Sequence, residues 1–281
     1  MGYMKTVFRY VNENGGEIAF TLANGWLLTK PDGIDTLTVS ISQSQGIGQV
    51  GATVDSVNIQ PRPVTLNGRI YGESGSKKDK LLSVVRPDLS GRLYADDYYI
   101  DCRPTATPAI GADSSFAPFQ FELIAPYPYW QKDASTTTVL SGQLYKFRFP
   151  WNISRAWKFA ESMETVFINV QNTGQVPVPF QATFAAKGEV VNPRITNAIT
   201  GEYLLLKKAL QPGERVVVSI GHNGTTATST IDGDVRGALD LYNTLSRLAV
   251  GDNLLKPEAE SGGGQMEISI DFSTEIVGIA L

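Results

Sequence analysis

Phe119-Gln-Phe121-Glu-Leu123-Ile-Ala-Pro126-Tyr-Pro128-Tyr-Trp130 is the stretch on which the fold turns. Its first half alternates: Phe119, Phe121 and Leu123 share one face, and Gln120 and Glu122 take the other. That period of two belongs to a half-buried strand. Its second half ends the strand, because two prolines two residues apart stiffen the backbone and remove ladder donors. Working outward, the same alternation recurs at 36–41, 165–170, 215–220 and 266–272. Many short strands broken by Gly, Pro and Asn predict an all-β chain of sandwiches or barrels.

Helices are few. Ser76, three residues ahead of Asp79, gives a capping pattern; Leu81, Leu82 and Val85 form an apolar face, and Pro87 stops the run. A second short helix is expected at 239–248, where Leu241, Leu245 and Leu248 are spaced for one face, with a strand or irregular turn as the alternative. The double-proline break divides the chain into a first β domain at 1–130, an extended connector at 131–160 and a second β domain at 161–281. Gly262, Gly263 and Gly264 read as a flexible loop before the closing strands.

Composition narrows the function. The 281 residues are 42% hydrophobic and 19% charged, enough to bury a core. A net charge of −4 gives no pull toward nucleic acid or anionic membrane. No apolar run reaches the length of a membrane helix, and the opening residues lack a signal-peptide core. Met1-Gly2 with Thr6 fits a myristoylation pattern short enough to arise by chance. The single cysteine, Cys102, excludes an intrachain disulfide, and with the single histidine, His222, it falls short of a zinc set. No metal, cofactor or catalytic residue is assigned.

Each tempting motif has a plain reading. Gly46, Gly48 and Gly51 match G-x-G-x-x-G, but strand and proline follow where a dinucleotide site needs a helix. His222 lies in a Gly-His-Asn-Gly turn. Asp96 and Asp97 fit a hairpin loop, and as strand neighbours they would face apart. Glu258 and Glu260 lie in a polar loop beside Pro257. With no carboxylate pair at glycosidase spacing, the chain reads as a non-enzyme. Phe147, Phe149, Trp151 and Trp157, with Tyr127, Tyr129 and Trp130, are candidate contacts between subunits or at a domain seam. Lining a sugar-binding surface is the competing reading for the first four, and 131–157 is a candidate arm gripping a neighbour.

The first domain carries, in order, Arg69-Ile70-Tyr71-Gly72, the Lys/Leu helix, Gly91-Arg92-Leu93-Tyr94 and the aromatic–proline stretch. The second carries Asn172-Thr-Gly174 with Pro177 and Pro179, Asn192-Pro193-Arg-Ile195-Thr-Asn197, and Leu248-Ala-Val-Gly251-Asp-Asn253. This order of segments resembles the distal tail (Dit) protein family of long-tailed bacteriophages (siphophages). The resemblance spans nearly the whole chain. It implies an N-terminal β-sandwich or split barrel with a C-terminal galectin-like sandwich of jelly-roll type. It implies a homohexameric ring at the virion tail tip, made in the bacterial host cytoplasm. The ring joins the tail tube protein to a tail-associated lysin or adhesin hub, with a receptor-binding protein as a further partner. The length leaves no room for the extra sugar-binding domain of some members. A glycan-binding sandwich module and a tail-tube or other baseplate protein are the alternative readings.

Overall fold

The alternating stretch at 116–125 is built as a central strand. The computed structural model describes residues 6–72, 74–112, 116–141, 143–144, 161–162, 167–222 and 224–280. They divide into one unit of 1–134 with 275–281 and another of 135–274.

The first unit holds β1 (Phe8–Asn12), β2 (Glu17–Phe20), β3 (Trp26–Leu28), β4 (Val39–Ser44), β5 (Thr53–Ile59) and β6 (Arg62–Tyr71). The helix α1 (Ser74–Val84) follows, then β7 (Gly91–Ala95), β8 (Tyr98–Pro104), β9 (Ala109–Ile110), β10 (Phe116–Ala125) and β11 (Trp130–Lys132). Its main sheet runs β2-β1-β7-β8-β10-β6-β3. Ten residue pairs, from Phe116 opposite Tyr71 to Ala125 opposite Arg62, lock β10 to β6. Such a register is strongly specified, because a slip of one residue would turn Phe119, Phe121 and Leu123 outward. Phe119 and Phe121 meet Phe20 at centroid distances of 6.0 Å each, and Trp26 stands edge-on to Phe119 at 5.7 Å. Gly68 is required here, since a Cβ would strike the Phe119 ring.

The helix begins at Ser74, two residues before the sequence-based start, and buries Leu81 and Val84, with Val85 just beyond it. The buried Asn12 ties helix to hairpin. Its amide donates to the Val84 carbonyl at 3.0 Å, and its oxygen accepts from the Asn14 and Gly16 N–H groups. That satisfies a carbonyl the helix end leaves orphaned.

The second unit carries β12 (Thr136–Ser141), β13 (Gln143–Leu144), β14 (Glu161–Ser162), β15 (Ile168–Asn172), β16 (Gln181–Ala186) and β17 (Val190–Val191). Next come β18 (Arg194–Asn197), β19 (Tyr203–Leu205), β20 (Ala209–Leu210), β21 (Arg215–Gly221) and β22 (Gly224–Ser229). Its last strands are β23 (Gly233–Asp234), β24 (Gly251–Glu258) and β25 (Met266–Phe272). A six-stranded sheet, β12-β25-β16-β21-β22-β23, and a four-stranded one, β15-β24-β18-β19, share one core that includes Val170, Phe184, Leu255 and Ile268. The all-β class and the pairing of a nearly closed sheet with a sandwich are those the sequence predicts.

Several boundaries differ. Residues 239–248 are not helical: Asp240, Thr244 and Leu245 N–H groups bond to carbonyls of β19, so this segment covers a sheet edge instead. The expected connector is sheet at its start, because β11 pairs with β8 and β12 with β25. The strand β26 (Glu275–Ile276) returns to the first unit and pairs with β11, Trp130 opposite Ile276. Residues 275–281 therefore belong with 1–134, not with the second domain to which the sequence assigned them. Gly262 is no flexible spacer: it holds φ +75, and a Cβ there would collide with the Glu189 carbonyl. Among the described residues no helix is long and apolar enough to cross a membrane.

Candidate assembly interface

Three features of the first unit bear on assembly, and the first is the ribbon β4–β5. Val39 pairs with Ile59 and Ile41 with Val57, so these four aliphatic residues share one face. A bulge between Ser42 and Gln43 shifts the register, sets Gln43 opposite Val54 and brings Val54 to that same face. Every position of both strands is exposed. At the tip, Gly48 and Gly51 hold positive φ, and Ile47 and Val50 are 110% and 101% exposed. The G-x-G-x-x-G stretch is thus a hairpin loop with no helix behind it. An isolated two-stranded ribbon is marginal in water, and a contiguous exposed aliphatic face marks a surface built to be covered.

The second feature is the outer face of the main sheet. Arg9 lies opposite Tyr94, which lies opposite Tyr99. Arg9 sits 4.0 Å over the Tyr94 ring and Arg92 4.6 Å over Tyr99, with the two tyrosines 5.8 Å apart. Glu17 and Asp101 neutralise the two arginines at 3.5 and 2.8 Å. The Tyr99 hydroxyl donates to Gln131 at 3.0 Å, and burial raises its pKa. Arg and Tyr locked side by side are the residue types that anchor protein interfaces.

The third is an open cavity of about 770 Å³ at one end of that face, lined by Val11, Arg92, Cys102, Arg103 and Pro126 among others. Arg92 is held by Asp101, whereas Arg103 has no ion-pair partner among the described residues. The Cys102 thiol is pushed up to about 12 by burial, so it is a packed apolar group and no nucleophile.

Among the residues picked out from sequence, Trp130 is fully buried in the first unit and its indole N–H donates to the Ile34 carbonyl at 3.0 Å. The half-buried Tyr127 donates its hydroxyl to the buried Glu275 at 2.5 Å and stands edge-on to Tyr129 at 5.4 Å. Tyr127, through Glu275, and Trp130, paired with Ile276, hold the returning strand at 275–276. Phe147, Phe149, Trp151 and Trp157 lie outside the described residues. Asp96 takes φ +52 in a two-residue turn, and its carboxylate accepts from the Val7 N–H. His222 sits in the turn between β21 and β22. Glu258 accepts from Thr196 at 2.8 Å and pairs with Lys256 at 2.7 Å, and Asn192 donates to Glu260. Sequence reasoning missed the aliphatic ribbon face. Its signal was two alternating runs around a Gly-rich loop with one charge, Asp55, between 39 and 59.

Comparison with known proteins places this geometry. Residues 173–275 match the family of siphovirus-type tail component C-terminal domains, the family of the SPP1 Dit protein. Most of the second unit is therefore similar to that domain family. The chain as a whole has the fold of the SPP1 Dit protein (gp 19.1), described as a paradigm of the hub adsorption apparatus in phages that infect Gram-positive bacteria. The match has a TM-score of 0.70 at 12% identity and covers 96% of this chain and 99% of that one. A chain of the phage P2 baseplate in its activated, calcium-bound conformation matches with a TM-score of 0.50 at 12% identity, over 98% of this chain and 100% of that one. No curated protein matches in sequence. The similarity to a tail component domain thus covers 173–275, and over the whole chain what is shared is the fold.

Proposed function

We propose that the chain is the repeating subunit of a homohexameric ring at a phage tail tip. The ring joins the tail tube to a tail-associated lysin or adhesin, carries no catalytic site and offers docking for a receptor-binding protein. The observation behind this reading is the uncovered aliphatic face of β4–β5 on a Dit fold. A ring needs two complementary patches on each subunit, used repeatedly around the axis. A projecting ribbon supplies one of them without any reactive residue, through side-chain burial and free strand edges.

The test is the solution mass of the full chain. Light scattering should give about six times the 30.5 kDa of one chain, or a multiple of that for stacked rings. A variant carrying Ile41→Ser and Val57→Ser should fall to one chain while keeping its unfolding midpoint, since both side chains are already exposed. A wild type that stays at one chain, or a variant that still forms the full ring, overturns the reading.

A further inference from the structure

The second unit carries a small polar cavity at the hairpin where β21 turns into β22. We propose that this cavity binds the phosphate group of a sugar or polyol phosphate ester, whose hydroxyl groups lie along the row of side chains beside it. The site belongs to one chain and does not depend on the ring.

Strand pairing builds the wall. Ser219 stands opposite Thr226 and Gly221 opposite Gly224, so these four share the outer face of the sheet. The two glycines bring no side chain and leave the backbone open to close approach. With the hydroxyls of Ser219, Thr225 and Thr226 they line a space of about 270 Å³, to which His222 and Arg236 add nitrogen donors. Arg236 is fixed there because the Val235 N–H donates to the Ala227 carbonyl of β22 at 2.9 Å. Among the described residues no acid lines the space. Asp234 accepts from the Arg236 backbone N–H at 3.0 Å and stands opposite Thr228, one row further along. The Arg236 guanidinium has no ion-pair partner among the described residues, and none of the three hydroxyls bonds to one.

That set suits an oxyanion with several acceptor oxygens, met by hydroxyls from the strands and by a guanidinium fork. A tetrahedral phosphate turns oxygens toward both, whereas a carboxylate offers two in one plane. Beyond the cavity the row continues through Gln181, opposite Ser219, and Asp271, opposite Gln181. Amide and carboxylate are hydrogen-bonding partners for hydroxyl groups. Asp271, two strands or about 10 Å from Ser219, would repel a second phosphate. The ligand that fits is therefore one phosphate followed by hydroxyls. A nucleic-acid strand carries a charge at every residue, and a net charge of −4 gives it no general attraction to the chain.

Calorimetric titration of the full chain with glucose 1-phosphate, glycerol 1-phosphate and inorganic phosphate tests the site. Both esters should bind saturably and more tightly than inorganic phosphate. Arg236→Gln should weaken all three about tenfold. Arg215→Gln removes an exposed arginine from the same sheet face outside the cavity and should change nothing. Gln181→Ala should weaken the esters about threefold and leave inorganic phosphate alone. These side chains are exposed or half-buried, so the unfolding midpoints should hold. Absence of saturable binding, equal losses in Arg215→Gln and Arg236→Gln, or displacement by acetate as readily as by phosphate would overturn the site. Inorganic phosphate binding as tightly as the esters would overturn the role of the row. A DNA oligonucleotide that binds more tightly than the esters, through the same residues, would overturn the assignment to a sugar or polyol ester.

Discussion

Arg62 donates its guanidinium to the carbonyl oxygen of Val277, 215 residues further along the chain. The same side chain, 2% exposed, also donates to Pro128 at 2.7 Å and Gly33 at 2.8 Å. One planar group thus satisfies carbonyls from three segments, a geometry the single ammonium of lysine does not reproduce. Burial lowers its pKa, and Asp35 acts the other way.

Replacing Arg62 with Met should leave three carbonyls without this donor. We expect the first unit to lose roughly 3 kcal/mol. Urea unfolding followed by near-ultraviolet dichroism should show an earlier transition for the first unit and an unchanged one for the second. A variant as stable as wild type would mean that water replaces the guanidinium at all three sites.

In the second unit, Glu214 is fully buried yet ionised. Burial alone would raise its pKa, but the Ser229 hydroxyl at 2.6 Å, the Gln211 N–H at 2.9 Å and Lys208 at 3.0 Å outweigh it and lower it. A carboxylate depressed in the folded state adds stability above its ordinary pKa and loses it as pH falls through the folded value. The second unit should therefore weaken as pH drops below the ordinary carboxylate range. Glu214→Gln should cost about 2 kcal/mol at pH 7 and flatten that acid dependence, measured as denaturation midpoints across pH. An unchanged acid slope in the variant would assign the effect to other carboxylates.

Residues with strict alternation were legible before any coordinates. Those of β10, β21 and β25 take the predicted burial because a sheet face lies opposite each of them. At β4 the same alternation misled: the sequence implied a half-buried strand, yet every position of β4 is exposed, its apolar face included. Periodicity reports that a face exists, and only tertiary structure says what covers it. The leucines at 239–248 had a helical spacing, but Asn243 bonds through its side chain to Leu205 and helps hold the segment along a strand. Nothing local marks Glu275 as the partner of Tyr127, since 148 residues separate them.

Gly262 gives a sharper local test. Its φ of +75 disfavours an L side chain, and a Cβ there would meet the Glu189 carbonyl. Gly263 has no positive φ, and its nearest neighbour is the Ala259 Cβ at 4.0 Å. Gly262→Ala should cost about 2 kcal/mol or more, and Gly263→Ala should fall within about 0.5 kcal/mol of wild type. Thermal unfolding of the two variants side by side reads the difference. Equal midpoints would mean that the 262–265 turn moves freely to admit a methyl group.

The second unit is inserted into the first between two paired strands, Gln131 standing opposite Glu275. The chain leaves and re-enters the first unit at neighbouring points, and the buried residues of that unit's core all come from 1–134 and 275–281. Replacing 135–274 with a short Gly/Ser link should close the gap at an entropic cost of only a few tenths to about 1 kcal/mol relative to other short loops. The product keeps two of the four tryptophans, Trp26 and Trp130, both buried. It should fold cooperatively with blue-shifted emission, and Arg62→Met should destabilise it as it does the full chain. If it emits like an exposed indole and unfolds without a transition, the first unit depends on the inserted domain for more than the return of residues 275–281.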